Sequence, residues 1–410
     1  MNKAGAWIKN IALTAASVLL VLLLSIVADR LLGKAAAPPT LPGTMELIFP
    51  PNAEQAYESV DFKYTAHINS IGLRDRELPK ERGNTYRILA IGDSYTYGWG
   101  VEIEQCWLRL LEERLRKDGF DVETVNAGKP GWGPQDYAQF AERAIPILRP
   151  NLVIVGILEG NDLAASGPTG LEKAKDTLLD KVRVVYPNIV RVIRDLAPKK
   201  DLAQRTQEMP PQKSTAEDNR RWTANTAKEF LGKMTPEQRA RFEAFDDKVK
   251  EAFLNGNLNP YMLDLANQNP KFYNITMNLD DAWTKTCIER MGGHLRRVKK
   301  CAATYGAQVA VFSIPDGPYV NLAANKNIRR VGYEVQEDLI ASDAPDKAIA
   351  RACEQADVPF LQATGEFKNR KDDPGLFFEL DGHLSPAGHQ LYAEAIAPSL
   401  EKLLRQYQGK

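Results

Sequence analysis

The chain of 410 residues has little cysteine and little histidine, four of each, and no surplus of charge, since 53 Lys and Arg balance 53 Asp and Glu. Each shortage excludes something. Cys106, Cys287, Cys301 and Cys353 are scattered, with no CxxC pair and no Cys/His spacing suited to zinc. Neither a metal site nor a dense disulfide framework is legible, and at most one or two bridges remain open. Without a basic surplus there is no sign of the phosphate-neutralising face of a nucleic-acid binder. No internal repeat is visible. What is present, 44% hydrophobic and 26% charged residues, is globular composition. The length suits one large domain with insertions or two ordinary ones, with a sizeable core in either case.

Long uncharged runs are also scarce, with one exception. Residues 10–28, NIALTAASVLLVLLLSIVA, hold 19 residues without a formal charge. As a helix this run nearly crosses a bilayer, so residues 1–33 are expected to form a transmembrane signal anchor. Lys3 and Lys9 before it, against Arg30, Lys34 and Asp29 after it, give a slight bias toward a cytoplasmic N-terminus and a body on the periplasmic or extracellular side. A cleaved signal peptide is the rival, with Ala35, Ala36 and Ala37 as small residues for a peptidase, but the run exceeds the usual signal core. Residues 34–44, KAAAPPTLPGT, read as a Pro-rich tether. Residues 45–85 alternate in short stretches and predict a small strand-rich entry segment without chemistry of its own, in which His67 is a surface histidine.

From residue 86 to 410 apolar strands alternate with amphipathic helices, the pattern of a parallel sheet covered on both faces. The strands fall at 87–92, 122–127, 152–160, 308–315 and 358–362. Helices fit at 103–118, 135–147, 289–305, 346–356 and 386–407. The last of these has Ser385 as its cap, Pro386 in its first turn and an apolar stripe of Leu391, Ile396, Leu400 and Leu403. Between strands three and four stand roughly 145 residues where a crossover needs a few dozen. Residues 163–288 are therefore an insert, largely helical, with a polar loop at 197–222 and a helix start at the TPEQ of Thr235. Its place near the carboxyl ends of the strands suits a lid or a protein-docking surface.

The chemistry gathers where strands end. RILAIGDSYTYGWG puts Ser94 at a strand-to-helix turn, where its hydroxyl is exposed and its own N–H can face a developing oxyanion. VNAGKPGWG puts Asn126, Gly128, Gly131 and Gly133 after strand two, and ILEGND puts Gly160, Asn161 and Asp162 after strand three. Glycine lets a backbone N–H approach a substrate and Asn supplies a neutral donor, so these loops can build an oxyanion hole. A serine hydroxyl needs a base. FFELDGHLSPAGH offers Asp381 and His383 just before the final helix, whereas His389 falls inside that helix as a surface or packing residue. Each signal alone is weak, but their order brings four polar clusters to one sheet edge.

In this combination residues 86–162 and 306–407 resemble the SGNH, or GDSL, hydrolase superfamily. The resemblance implies a flavodoxin-like three-layer α/β/α fold with a five-stranded parallel sheet, and acyl-ester hydrolysis through an acyl-serine without metal or organic cofactor. GDS makes Ser94 resemble the nucleophile, NAGKPG makes Gly131 resemble an oxyanion donor, GND makes Asn161 resemble another, and Asp381 and His383 resemble the acid and base. One departure stands out: only Gly382 separates Asp381 from His383, where the family has two residues, which leaves Glu379 as an alternative acid. The expected activity is a membrane-anchored esterase acting on an acyl ester, with acetyl as the expected acyl group, of a small molecule or of envelope or extracellular polysaccharide. Transfer of the acetyl group to a sugar hydroxyl and a non-catalytic membrane-tethered scaffold that binds protein partners through the insert are the rivals. Trp99 and Trp132 are expected to pack rather than to stack on sugars.

Overall fold

A computed structural model describes residues 3–35, 44–81, 83–167, 186 and 213–408. Most of the Pro-rich tether and the insert stretches 168–185 and 187–212 lie outside the described residues, including most of the polar loop expected at 197–222. The N-terminal apolar run is helical over Lys3–Ala35 and belongs to one compact unit. The sheet and everything below belong to the other, Thr40–Gly167 with Pro210–Lys410. In the first helix, side chains are described only at residues 13, 14, 16–29 and 31, and Leu13 together with Val18 to Leu24 is exposed. Among the described residues no helix is long and apolar enough to cross a membrane, so the expected transmembrane helix is not found there.

The entry segment forms an antiparallel hairpin of β1 (Glu54–Glu58) and β2 (Lys63–His67), extended by the short β6 (Lys213–Ser214) parallel to β1. His67 is exposed on it, 3.7 Å from Glu54. The main sheet contains β3 (Tyr86–Gly92), β4 (Val122–Gly128), β5 (Leu152–Leu158), β7 (Gln308–Ile314) and β8 (Phe360–Leu361). All neighbours are parallel, in the order β4-β3-β5-β7-β8. Counted within this sheet the order is 2-1-3-4-5, the flavodoxin-like arrangement, whose reversal point lies at the carboxyl ends of β3 and β5. Central strands are continuous apolar runs because both faces are covered. Helices Trp107–Lys117 and Pro386–Gln408 pack together as one cover, and helices Pro134–Leu148, Ala282–Thr304 and Ala344–Ala356 as another.

Local chemistry sets the element ends. Strand β5 stops at Leu158 rather than at residue 160 because Gly160 turns to φ +75° and the Glu159 carboxylate is buried, accepting from Asp316 N–H and the Thr364 hydroxyl. Strand β8 is two residues long, an edge strand paired only with β7. Between β5 and β7 the described insert is helical at Ala216–Lys233, Pro236–Glu243, Asp247–Leu254 and Pro260–Gln268. Thr235 and Gln238 cap the second of these reciprocally, and a 3₁₀ stretch follows at Phe272–Met277. All four cysteines are free thiols, so the one or two bridges left open do not form.

The tightest packing lies beneath the turn after β3. A Cβ on Gly128 would stand 2.1 Å from Tyr97 N, and one on Gly92 would stand 2.1 Å from Thr96 Oγ1. The first clash is with backbone, which cannot swing aside. Gly128→Ala should therefore destabilise the protein by about 3 kcal/mol. A fall in the denaturant midpoint at unchanged m-value would show it, and an unaltered midpoint would refute the packing argument.

Candidate active site

Ser94 opens a four-residue helix, Ser94–Tyr97, directly after β3. Asp93 caps it by accepting from Tyr95 N–H at 2.9 Å, and Gly98 at φ +83° ends it. The buried Arg74 guanidinium donates to the carbonyls of Tyr97 (2.8 Å), Gly98 (2.6 Å) and Val101 (2.5 Å) and lies over the Tyr64 and Tyr97 rings. Next to it, Asp75 accepts from Asn126 N–H at 2.7 Å and is paired with Arg109. The entry segment thus clamps the serine turn from below, a function its sequence did not announce.

The loop before the last helix supplies the partners. Phe377 and Leu384 form an antiparallel bridge, and Phe378 N–H donates to His383 O while Gly382 N–H donates to Phe378 O. Within this tight loop Gly382 adopts φ +81°, a conformation that costs glycine little. It lets residues only two apart meet: Asp381 Oδ1 lies 2.5 Å from His383 Nδ1. On the other side of the ring, His383 Nε2 lies 2.7 Å from Ser94 Oγ. With the proton on Nδ1, donated to Asp381, Nε2 is free to accept from the serine hydroxyl. Trp99 Nε1 donates to Asp381 Oδ2 at 3.3 Å, and the Tyr95 ring packs on the imidazole. Glu379 is not the acid. It pairs with Arg330, which also holds Asp246 at the start of an insert helix.

Asp61, in the β1–β2 turn, accepts from the N–H groups of Leu380 and Asp381 through one oxygen, at 2.8 and 2.7 Å. It fixes the backbone from which Asp381 projects, so it is a positioning residue. Nothing in its sequence neighbourhood marks it.

Gly131 and Asn161 line the same cavity as Ser94, Asp381 and His383. Gly131 has φ +78° with open space where a Cβ would stand. Asn161 begins the helix Asn161–Ala165, and the buried Asp162 carboxyl holds that corner by accepting from Leu158 N–H and the Tyr137 hydroxyl. Asn126 does not join them. Its buried amide donates to Thr96 O and its carbonyl accepts from Gly128 N–H, so both ends are used in holding the serine turn. His389 is a packing residue, buried and accepting from Trp107 N–H, with burial lowering its pKa to about 3. Trp99 and Trp132 pack, the former among Tyr57, Phe62 and Tyr64 and the latter on Phe140.

The electrostatics suit a base. Burial alone would lower the His383 pKa, but the charge and hydrogen bond of Asp381, with Asp93 and Asp316 behind, raise it above the ordinary imidazole value. Burial pushes Asp93 up to about 6 and Asp316, a cavity-lining carboxyl, up to about 7. Asp316 stands directly after β7. The rule that polar residues after strands reach the site, applied to the fourth strand, would have found it.

A serine, an imidazole and a carboxylate in hydrogen-bonded sequence, at the reversal point of a parallel sheet, define a site of the serine-hydrolase type. Residues 90–257 match the model of the GDSL-like Lipase/Acylhydrolase family. The chain is 32% identical over 101 residues to Esterase TesA of Pseudomonas aeruginosa, covering 23% of this chain and 48% of TesA, so it spans about half the length of that curated relative. Similar solved structures include the crystal structure of TesA, with 14% identity, a TM-score of 0.36 and coverage of 77% of this chain and 99% of that one. An acetyl xylan esterase, Axe2 of Geobacillus stearothermophilus, has 13% identity, a TM-score of 0.36 and coverage of 77% and 94%. Over residues 90–257 the chain is thus similar to the GDSL-like lipase/acylhydrolase family, in agreement with the resemblance of its sequence motifs to the SGNH, or GDSL, hydrolases.

Because His383 must be neutral to accept a proton, activity should fall as pH drops through its raised pKa. The acidic limb of kcat/KM should lie above the free imidazole value of about 6.5. Asp381→Asn removes the main raising influence, so the limb should move to lower pH while the plateau drops by roughly a thousandfold or more. A pH–rate profile for both proteins checks this, and an unmoved limb in Asp381→Asn would count against the pairing.

Proposed function

We propose that this protein is a serine ester hydrolase. Ser94 Oγ attacks the ester carbonyl as His383 Nε2 takes its proton, and Asp381 holds the imidazole and stabilises its charge. The backbone N–H groups of Ser94 and Gly131 and the Asn161 amide receive the oxyanion. The protonated His383 then gives its proton to the leaving alcohol, leaving an acyl-Ser94 ester. Water, deprotonated by the same imidazole, releases the acid. The observation that carries this reading is the unbroken hydrogen-bonded chain from Ser94 through His383 to Asp381 at the wall of a cavity. No residue in this chemistry calls for a metal or an organic cofactor. Small-molecule and glycan esters both fall within this substrate class, and nothing in the catalytic geometry selects an acetyl group.

A membrane-anchored location outside the cytoplasm belongs to the same proposal. Its support is the uncharged run at 10–28, lying within a helix of 33 residues whose described leucine and valine side chains are exposed. Ser17 and Ser25 return their hydroxyls to the carbonyls of Leu13 and Leu22, which removes the cost of carrying them into lipid.

Wild-type protein should react covalently with a fluorophosphonate at Ser94 and cleave short acyl esters, and Ser94→Ala should lose both by at least about a thousandfold. Parent-rate cleavage by Ser94→Ala would refute the assignment, and failure of the wild type to label would favour an inert scaffold. For the anchor, the full chain should resist alkaline extraction from membranes and a chain lacking residues 1–33 should not. Release of both to the same extent would remove the anchor from the reading.

A further inference from the structure

We propose that the cavity beside Ser94 is an acyl pocket for a chain of about six to ten carbons, walled by the insert, so that the substrates are medium-chain rather than acetyl esters. This rests on the esterase reading and adds the substrate class to it. The cavity holds about 310 Å³. At about 30 Å³ for each water's share of liquid volume this is room for roughly ten small groups, and an acetyl group would fill a minor part of it.

The part of the cavity wall that comes from the insert is mostly apolar, with Asn259 and Tyr261 as its polar members at the start of one of its helices. Met262 and Leu265 lie three apart on the helix Pro260–Gln268 and both line the cavity, while Leu263 and Ala266 of the same helix are buried in the core. Phe272, Tyr273 and Tyr333 form a mutually packed aromatic cluster, with ring centroids 5.5 Å apart for the first pair and 5.0 Å for Tyr273 and Tyr333. Tyr333 donates its hydroxyl to Met262 O at 3.0 Å, so its polar end is already used and its ring is left to pack. Such a wall offers dispersion and water exclusion but few hydrogen bonds, which suits methylenes better than sugar hydroxyls.

The insert is also tied to the loop that carries the reacting groups. Arg330 pairs with Asp246, the cap of the insert helix Asp247–Leu254, and with Glu379 in the loop that carries Asp381 and His383. Acyl length is thereby read against a surface held in register with the nucleophile, and each methylene buried there should raise kcat/KM about fourfold until the cavity is full.

The test is kcat/KM for p-nitrophenyl acetate, butyrate, octanoate and palmitate with the full chain, alongside fluorophosphonate labelling of Ser94. The expected optimum is octanoate. Leu265→Trp should lower the octanoate-to-acetate ratio at least tenfold by filling the pocket, and Phe272→Ala should move the optimum toward longer chains. A flat profile or an acetate optimum in a protein that labels at Ser94 overturns the acyl pocket and leaves the esterase reading standing. Absence of both labelling and cleavage overturns both. If circular dichroism shows Leu265→Trp unfolded, Phe272→Ala decides alone, and an unshifted optimum overturns the proposal.

Discussion

Backbone lies against backbone beneath Ser94, and the site exists because nothing larger than hydrogen stands between. The helix Ser94–Tyr97 approaches β3, β4 and β5 so closely that a Cβ would meet its backbone at Gly128 and the Thr96 side chain at Gly92 and Gly156. That closeness leaves Ser94 at a fixed height above the carboxyl edge of the sheet. Arg74 and Asn126 complete the seat by engaging the carbonyls of Thr96, Tyr97 and Gly98 from the other side. A nucleophile held this way needs little reorganisation on the way to the transition state, which is where preorganised sites gain their rate.

The partner loop is held by quite different means. It has no regular structure of its own beyond one bridge between Phe377 and Leu384, and its shape is imposed by Gly382, by Asp61 and by the packing of Phe378 on Phe62. Asp381 and His383 stand only two positions apart. Here a left-handed residue between them and a carboxylate holding the backbone bring them to 2.5 Å. The departure from the family spacing is therefore accommodated by a hairpin that belongs to a different part of the chain.

Much of this could be read from the residues. Five apolar runs marked the sheet because a parallel strand buried on both faces has no alternation to obscure it. The polar clusters that follow β3 and β5 and precede the last helix lead to the residues that meet in the cavity, since strand ends in such sheets share one edge. Other features were illegible for an equally physical reason. Asp61 and Arg74 act through backbone groups of irregular segments, and no periodicity encodes such pairings. Asn126 looked like a substrate donor because its type and position allow it, but whether an amide is free depends on what else comes within reach, and Thr96 O does. The aromatic wall of Phe272, Tyr273 and Tyr333 is discontinuous, so its residues appear as ordinary packing positions until the elements are brought together. Within the first helix, hydropathy alone predicted a span that the described residues do not establish.

The fastening of Asp381 by Asp61 bridges 320 positions of chain, and Ser94 meets His383 across 289. Contacts of such separation form late, after the loops they close have already been ordered. A chain made from its N-terminus can assemble its sheet progressively, yet the reacting groups are still separate until the loop that carries Asp381 and His383 has been made and docked. Ser94 therefore precedes its base by 289 positions of chain, and the seat of the nucleophile can be built well before the imidazole that serves it.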